Sequence, residues 1–159
     1  MAFYFFDSSA IVKRYAVESG SPWIFKILRP SSQNLAFVAG IAGAEVVAAL
    51  ARKRKGQVLS PAEASKAIRR FKRHFSRRFQ KITISDKVVA TAMIYADRYE
   101  LRGYDSIQLA AAIAVENELR LATAPSLIFV SFDADLNRAA QAEGLSVGHP
   151  DDSPEEPTP

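Results

Sequence analysis

The chain of 159 residues has no cysteine. That excludes disulfides, thiolate zinc sites and cysteine nucleophiles together, and it is compatible with a reducing cytoplasm. Histidine is nearly absent as well. His74 falls in a basic stretch and His149 near the end of the chain, and both read as surface residues rather than general bases or metal ligands. No apolar run approaches the roughly 18 residues that a membrane-spanning helix needs. The opening Met-Ala-Phe-Tyr-Phe-Phe-Asp lacks the positive region and cleavage site of a signal peptide. A cytoplasmic protein with no membrane part is expected.

What is present is an ordinary globular composition. With 48% hydrophobic and 24% charged residues, the chain is too charged for a membrane protein and too apolar for a disordered one. Its length suits one domain with a real core. That domain is expected over 1–148, followed by an acidic, proline-rich tail over 149–159 without fixed structure. The net charge of +4 hides an asymmetry. From Arg52 to Lys81 there are twelve basic residues against one acid, Glu63, so this stretch carries +11 and the rest of the chain −7. Such a stretch suits a polyanion, although a run of lysine and arginine is most often only a solvated face.

Alternating strands and helices are legible along the chain. Phe3 to Phe6 is a short, wholly apolar run ending at Asp7, as a strand buried on both faces requires. Ser8 and Ser9 then offer helix caps before Ala10 to Tyr15. After a Pro30 to Asn34 loop, Leu35 to Ala39 reads as a second strand and Ala44 to Arg54 as a helix, with Glu45 in its first turn. Ser60-Pro61-Ala62-Glu63 is a capping box with proline at the first helical position. The helix it opens places Ala64, Ile68, Phe71, Phe75 and Phe79 on one face and its bases elsewhere. Lys81 to Ile84 reads as an edge-like strand, and Ser85 caps a helix through Tyr99. Gly103 breaks the pattern, and Asp105 opens an alanine-rich helix over Ile107 to Val115. Leu127 to Val130 is a third buried strand that delivers Asp133 at its end. A helix containing Leu136 stops at Gly144, and Leu145 to Val147 offers a last strand. The expected fold is α/β, a three-layer α/β/α sandwich around a short parallel sheet.

Four acids stand out on this frame. Singly, Asp7, Asp105 and Asp133 could be helix caps, and Glu45 a first-turn acid favoured by the helix dipole. Jointly they are harder to dismiss. Functional groups in open α/β sheets gather beyond the carboxyl ends of the strands, where Asp7 and Asp133 fall. The serines beside Asp7 leave its carboxylate free of capping duty. Val46, Val47 and Leu50 turn the helix face near Glu45 inward, and Asp105 leads the most apolar helix. Four acids so placed repel one another and raise pKa values unless a cation lies among them. Oxygen ligands without histidine or cysteine suit Mg²⁺ or Mn²⁺. With no credible serine, cysteine or histidine nucleophile, water activated by the ion is the attacking group, directed at a phosphodiester. The basic segment would hold the nucleic acid through its phosphates, with Arg52, Lys53, Arg54, Lys55, Arg69, Arg70 and Arg73 as candidates. The aromatic residues read mostly as core. Tyr104, beside Asp105, is kept as a substrate contact.

At these residues the sequence resembles the PIN-domain family, and within it the VapC-like toxin ribonucleases of type II toxin–antitoxin pairs. Phe5-Phe6-Asp7-Ser8-Ser9-Ala10-Ile11-Val12-Lys13, Ala44-Glu45-Val46-Val47-Ala48-Ala49-Leu50, Leu101 through Ala112 around Asp105, and Phe129 through Leu136 around Asp133 carry the resemblance, which spans Phe3 to about Gly148. It implies metal-binding roles for Asp7, Asp105 and Asp133, and a metal-binding or water-orienting role for Glu45. Ser9 is implied as a hydroxyl positioning the acids. Ser131 stands near the place of a family threonine, and Asp135 is a second acid ranked below Asp133. The resemblance further implies cleavage of single-stranded RNA with Mg²⁺ or Mn²⁺, a homodimer, and a cognate antitoxin across the site. Ala124-Pro125-Ser126 lengthens the connection before the last acidic strand and could move Asp133. The alternative is a non-catalytic RNA- or partner-binding module on the same fold. A haloacid-dehalogenase-type phosphatase fits poorly, because it needs an aspartate where Ser9 stands.

Overall fold

The computed structural model describes residues 1–150, and the expectation of an unstructured tail falls mainly on 151–159, outside the described residues. Its strands are β1 (Phe3–Phe6), β2 (Leu35–Ala39), β3 (Gln80–Ile82), β4 (Leu127–Val130) and β5 (Ser146–Val147). They form one parallel sheet in the order β3-β2-β1-β4-β5. The central strands are buried on both faces, which is why their sequences are unbroken apolar runs instead of alternating ones.

Alternate residues of these strands face two cores. Phe3, Phe5, Leu127 and Phe129 pack with α5 (Asp86–Tyr99), α6 (Gly103–Leu121) and α7 (Ala134–Ala142). Phe6, Val38, Ala36 and Val130 pack with α1 (Ser8–Ile11), α2 (Ser21–Ile27), α3 (Ala42–Lys55) and α4 (Pro61–Arg77). This is the expected three-layer sandwich. Among the described residues, no helix is long and apolar enough to cross a membrane.

Register fixes the carboxyl ends of β1 and β4 at one level. Phe6 pairs with Val130, and the Asp7 amide donates to the Val130 carbonyl at 3.1 Å. The longer Ala124-Pro125-Ser126 connection therefore leaves the segment carrying Asp133 beside Asp7. That segment is further held by Phe132, whose ring packs on Trp23 and sits over Gly20. A Cβ at Gly20, which has φ +88°, would meet the Phe132 ring at 2.5 Å.

Several expectations need correction. Asp7, not Ser8 or Ser9, caps α1: its backbone is extended and its carboxylate accepts from the Ala10 amide, while Ser8 already lies inside the helix. Gly103 starts α6 instead of breaking the chain before it, so Asp105 lies within the first turn. Pro30–Ser32 forms a single 3₁₀ turn, and the helix Ser21–Ile27 went unseen. His74 is buried, not a surface residue. It follows Ala64, Ala67 and Phe71 on the inward face of α4, and its Nδ1 lies 3.0 Å from the Tyr15 hydroxyl.

Candidate active site

The acid site is built outward from Asp7, which is only 4% exposed at the junction of β1 and α1. Its Oδ1 accepts from the Ala10 amide at 2.9 Å and from Ser9 Oγ at 2.7 Å. Its Oδ2 accepts from Ser131 Oγ at 2.8 Å. These donors favour the charged carboxylate, yet burial outweighs them, and the nearby Asp105 carboxylate adds to its effect. The Asp7 pKa is pushed up to about 6. Cap and site residue are thus the same side chain.

Glu45 enters from the first turn of α3, one residue before the fully buried Val46. Its Oε1 accepts from Gln108 Nε2 at 2.9 Å, and the same nitrogen lies 3.1 Å from Ser8 Oγ. Burial, with a smaller contribution from Asp105, raises the Glu45 pKa above the usual range. Mutual repulsion among the acids is therefore the lesser cause of both shifts, and desolvation the greater.

Asp105 and Asp133 complete the group from the other side. Arg102 Nε donates to Asp105 Oδ2 at 3.0 Å and Arg102 Nη2 to Asp133 Oδ2 at 3.4 Å. Asp133 caps α7 through the Leu136 amide, and its own amide donates to Ser131 Oγ at 3.0 Å. Asp135 is ion-paired with Arg138 and largely exposed. Tyr104 is exposed beside Asp105.

The basic candidates are not gathered at the acids. Arg52 lies seven residues along α3 from Glu45, about 10 Å of helix, and with Arg54 and Lys55 it occupies the far, exposed end. Lys53 is drawn onto Glu18 at 2.8 Å. Arg69, Arg70 and Arg73 are exposed on α4. Two residues of the site went unread in the sequence. Arg102 had no local signal, but Gln108 did: it is a long polar side chain directly ahead of the buried apolar run from Leu109 to Ala112.

Could this group hold a divalent ion? The donors are all oxygen, two of the carboxylates are raised by burial, and Arg102 is the cation bonded to the other two. That chemistry fits Mg²⁺ or Mn²⁺. Among the described residues, no three acids lie close enough as they stand to hold one ion. A cation entering here has to displace Arg102 from Asp105 and Asp133. The Arg102 side chain is 76% exposed, so leaving costs it little.

No protein-family model matches the sequence. Two curated relatives do, the ribonucleases VapC45 of Mycobacterium tuberculosis strain CDC 1551 / Oshkosh and VapC49 of strain ATCC 25618 / H37Rv. Each is 29% identical over 147 residues, covering 92% of this chain and 95% of the relative. Among solved structures, VapBC-1 from nontypeable Haemophilus influenzae matches with a TM-score of 0.59 at 10% identity, over 94% of this chain and 98% of that one. VapC20 of M. tuberculosis, described as a sarcin-ricin loop cleaving toxin, matches with a TM-score of 0.57 at 15% identity, over 89% and 95%. At those identities the structural likeness speaks for the fold. The sheet order, the two helical layers and these neighbours make this a PIN-fold protein. In sequence it is VapC-like along nearly its whole length.

Proposed function

We propose that the protein is a metal-dependent endoribonuclease and the toxin of a type II toxin–antitoxin pair, using Asp7, Glu45, Asp105 and Asp133 to hold Mg²⁺ or Mn²⁺. The observation that carries this reading is the set of links among the four acids: Ser131 bonds to both Asp7 and Asp133, Arg102 bonds to both Asp105 and Asp133, and the Asp105 charge acts on Asp7 and Glu45. The relatives named as ribonucleases support the reaction class. The neighbours solved as VapBC assemblies support an antitoxin partner.

A divalent ion bound here would lower the pKa of water and offset charge on the phosphodiester's leaving oxygen. The chain's own contribution is orientation and proton handling. Ser9, Ser131 and the Ala10 amide fix both oxygens of Asp7. Gln108 holds one oxygen of Glu45, and the raised pKa suits the other oxygen to accept a proton from attacking water. Arg102, once released, is the nearest cation for a substrate phosphate. A homodimer would have an apolar patch to bury on the outer face of α5, where Val89, Met93 and Ile94 are exposed.

A binding module without turnover is the second reading, and the Arg102 ion pairs favour it, because a permanently latched arginine would exclude the ion. Incubating the purified protein with labelled single-stranded and structured RNA separates the two. Cutting that requires Mg²⁺ or Mn²⁺ and stops with chelator supports the nuclease. Salt-sensitive RNA binding with no turnover in either metal supports the module.

A further inference from the structure

At the other end of the sheet, a cavity of about 280 Å³ opens between the turn after α1, the segment after α2 and the C-terminal end of α4. It borders Asn34 and Ala36 at the start of β2, whereas Asp7 and Asp133 follow the ends of β1 and β4. Ala36 pairs with Tyr4, three residues and about 10 Å of strand before Asp7. Arg14, Arg29 and Arg78 line it, together with Tyr15, His74 and Phe79, and among the described residues no acid does.

Like charges gathered around one cavity are electrostatically unfavourable by themselves. Burial, followed by repulsion from Arg70 and Arg78, lowers the Arg14 pKa. Burial, followed by Arg78, Arg70, Arg14 and Arg73, pushes the His74 pKa down to about 4. The chain pairs nearby lysines readily: Lys13 and Lys53 both reach Glu18. Among the described residues it gives Arg14, Arg29, Arg70 and Arg78 no acidic partner.

The Arg14 side chain and the backbone turn that carries Arg29 are also held in place. The Arg14 guanidinium lies over the Phe25 ring, 5.0 Å from its centroid. Arg29 is extended ahead of Pro30. Ser32 Oγ donates to the Arg29 carbonyl at 2.7 Å, and Asn34 Nδ2 to the Ile27 carbonyl at 3.0 Å, which fixes the turn carrying Arg29.

We infer that this cavity is a binding site for a nucleotide phosphate, separate from the acid site. Arginine side chains lining one cavity can bring planar, multiply donating forks to the several oxygens of a phosphate. Leu28, Pro30 and Phe79 give apolar wall for a sugar or base. The volume lies near the lower end of small-ligand pockets, roughly 300 Å³. The phosphate could belong to an RNA strand or to a free nucleotide. The inference concerns equilibrium binding and stands apart from cleavage.

Binding to the full chain in chelator at low salt tests it. The probes are adenosine 5′-monophosphate, adenosine, and a 5′-phosphorylated eight-nucleotide RNA on an Asp7→Asn background. The expected result is at least tenfold weaker binding of one phosphate probe by the Arg14→Gln/Arg78→Gln protein. An Arg52→Gln/Arg54→Gln control, which removes equal charge from α3, should change it less than threefold. Loss confined to the RNA identifies a strand phosphate. Loss for the monophosphate, with adenosine binding far weaker than the monophosphate to the parent, identifies a free nucleotide. In the parent, the bound probe should also move the His74 ring titration upward from about 4. Should the double variant fold poorly, Arg29→Gln replaces it. The inference is overturned if neither phosphate probe distinguishes the cavity variants from the parent or from the α3 control.

Discussion

Ser131 Oγ donates to Asp7 Oδ2 at 2.8 Å across 124 positions of sequence, and it accepts from the Asp133 amide at 3.0 Å. One hydroxyl thus ties two acids from different strands into a fixed relation. Ser131→Ala leaves a buried carboxylate oxygen and an amide without that partner, at an expected cost of about 1–3 kcal/mol. Urea denaturation should show the loss, RNA cleavage should fall at least tenfold, and Ser131→Thr should restore most of both. Cleavage unchanged in Ser131→Ala would show that the acids are positioned without it.

The pKa of Asp7 gives a pH signature. In chelator, the native state takes up a proton between the ordinary value of 3.8 and about 6. The unfolded chain does not, so stability falls as pH rises through that window. Asp7→Asn removes this fall. At pH 7.5 the variant should be more stable than the parent by about 1–3 kcal/mol, and at pH 4 the two should converge. His74 contributes the opposite slope below 6.5, because its native pKa is depressed, but that contribution is common to both proteins. Parallel stability–pH curves for parent and Asp7→Asn would contradict the buried, unpaired charge.

Arg102 is ion-paired with Asp105 and Asp133, so a divalent ion held by these acids would compete with it. The pairs are exposed and solvent-screened, so Arg102→Ala should tighten Mn²⁺ binding only modestly, by about two- to fivefold. Calorimetric titration with Mn²⁺ alone reads this without RNA. Weaker Mn²⁺ binding in the variant would mean that the arginine organises the acids rather than screening them.

Gln108 bridges Ser8 and Glu45, yet its Oε1 is buried with no partner. Gln108→Leu removes the orphaned oxygen along with the bridge, so stability should change by less than about 1 kcal/mol. Cleavage should fall at least tenfold as Glu45 loses its anchor. A large loss of stability with full activity in the surviving folded fraction would assign Gln108 to packing instead.

Much of this was readable because the strands are buried on both sides. Phe3 to Phe6, Leu35 to Ala39 and Leu127 to Val130 stand out as apolar runs, and the acid after the first of them and Asp133 after the last follow directly. The capping box at Ser60 fixed the start of α4 for a local reason, since both of its bonds form within four residues. Helix α2 escaped because seven residues make barely two turns, too short for periodicity to show, although Pro22 near its start was a usable sign. His74 was misplaced because its neighbours in sequence are exposed bases, while its own ring turns inward against Tyr15. Arg102 bonding to Asp133, and Gln108 to Ser8 and Glu45, span 31 to 100 positions. Such pairings come from the packing of α6 against the sheet, which local pattern does not encode.

The most direct test of the central claim sets the parent beside Asp7→Asn, Glu45→Gln, Asp105→Asn and Asp133→Asn in one labelled-RNA cleavage assay with Mg²⁺, Mn²⁺ or chelator. Thermal unfolding checks each fold. The account predicts metal-dependent cutting by the parent and at least a hundredfold loss in every folded variant. An Asp7→Asn protein that cuts RNA at the parent's rate would contradict it.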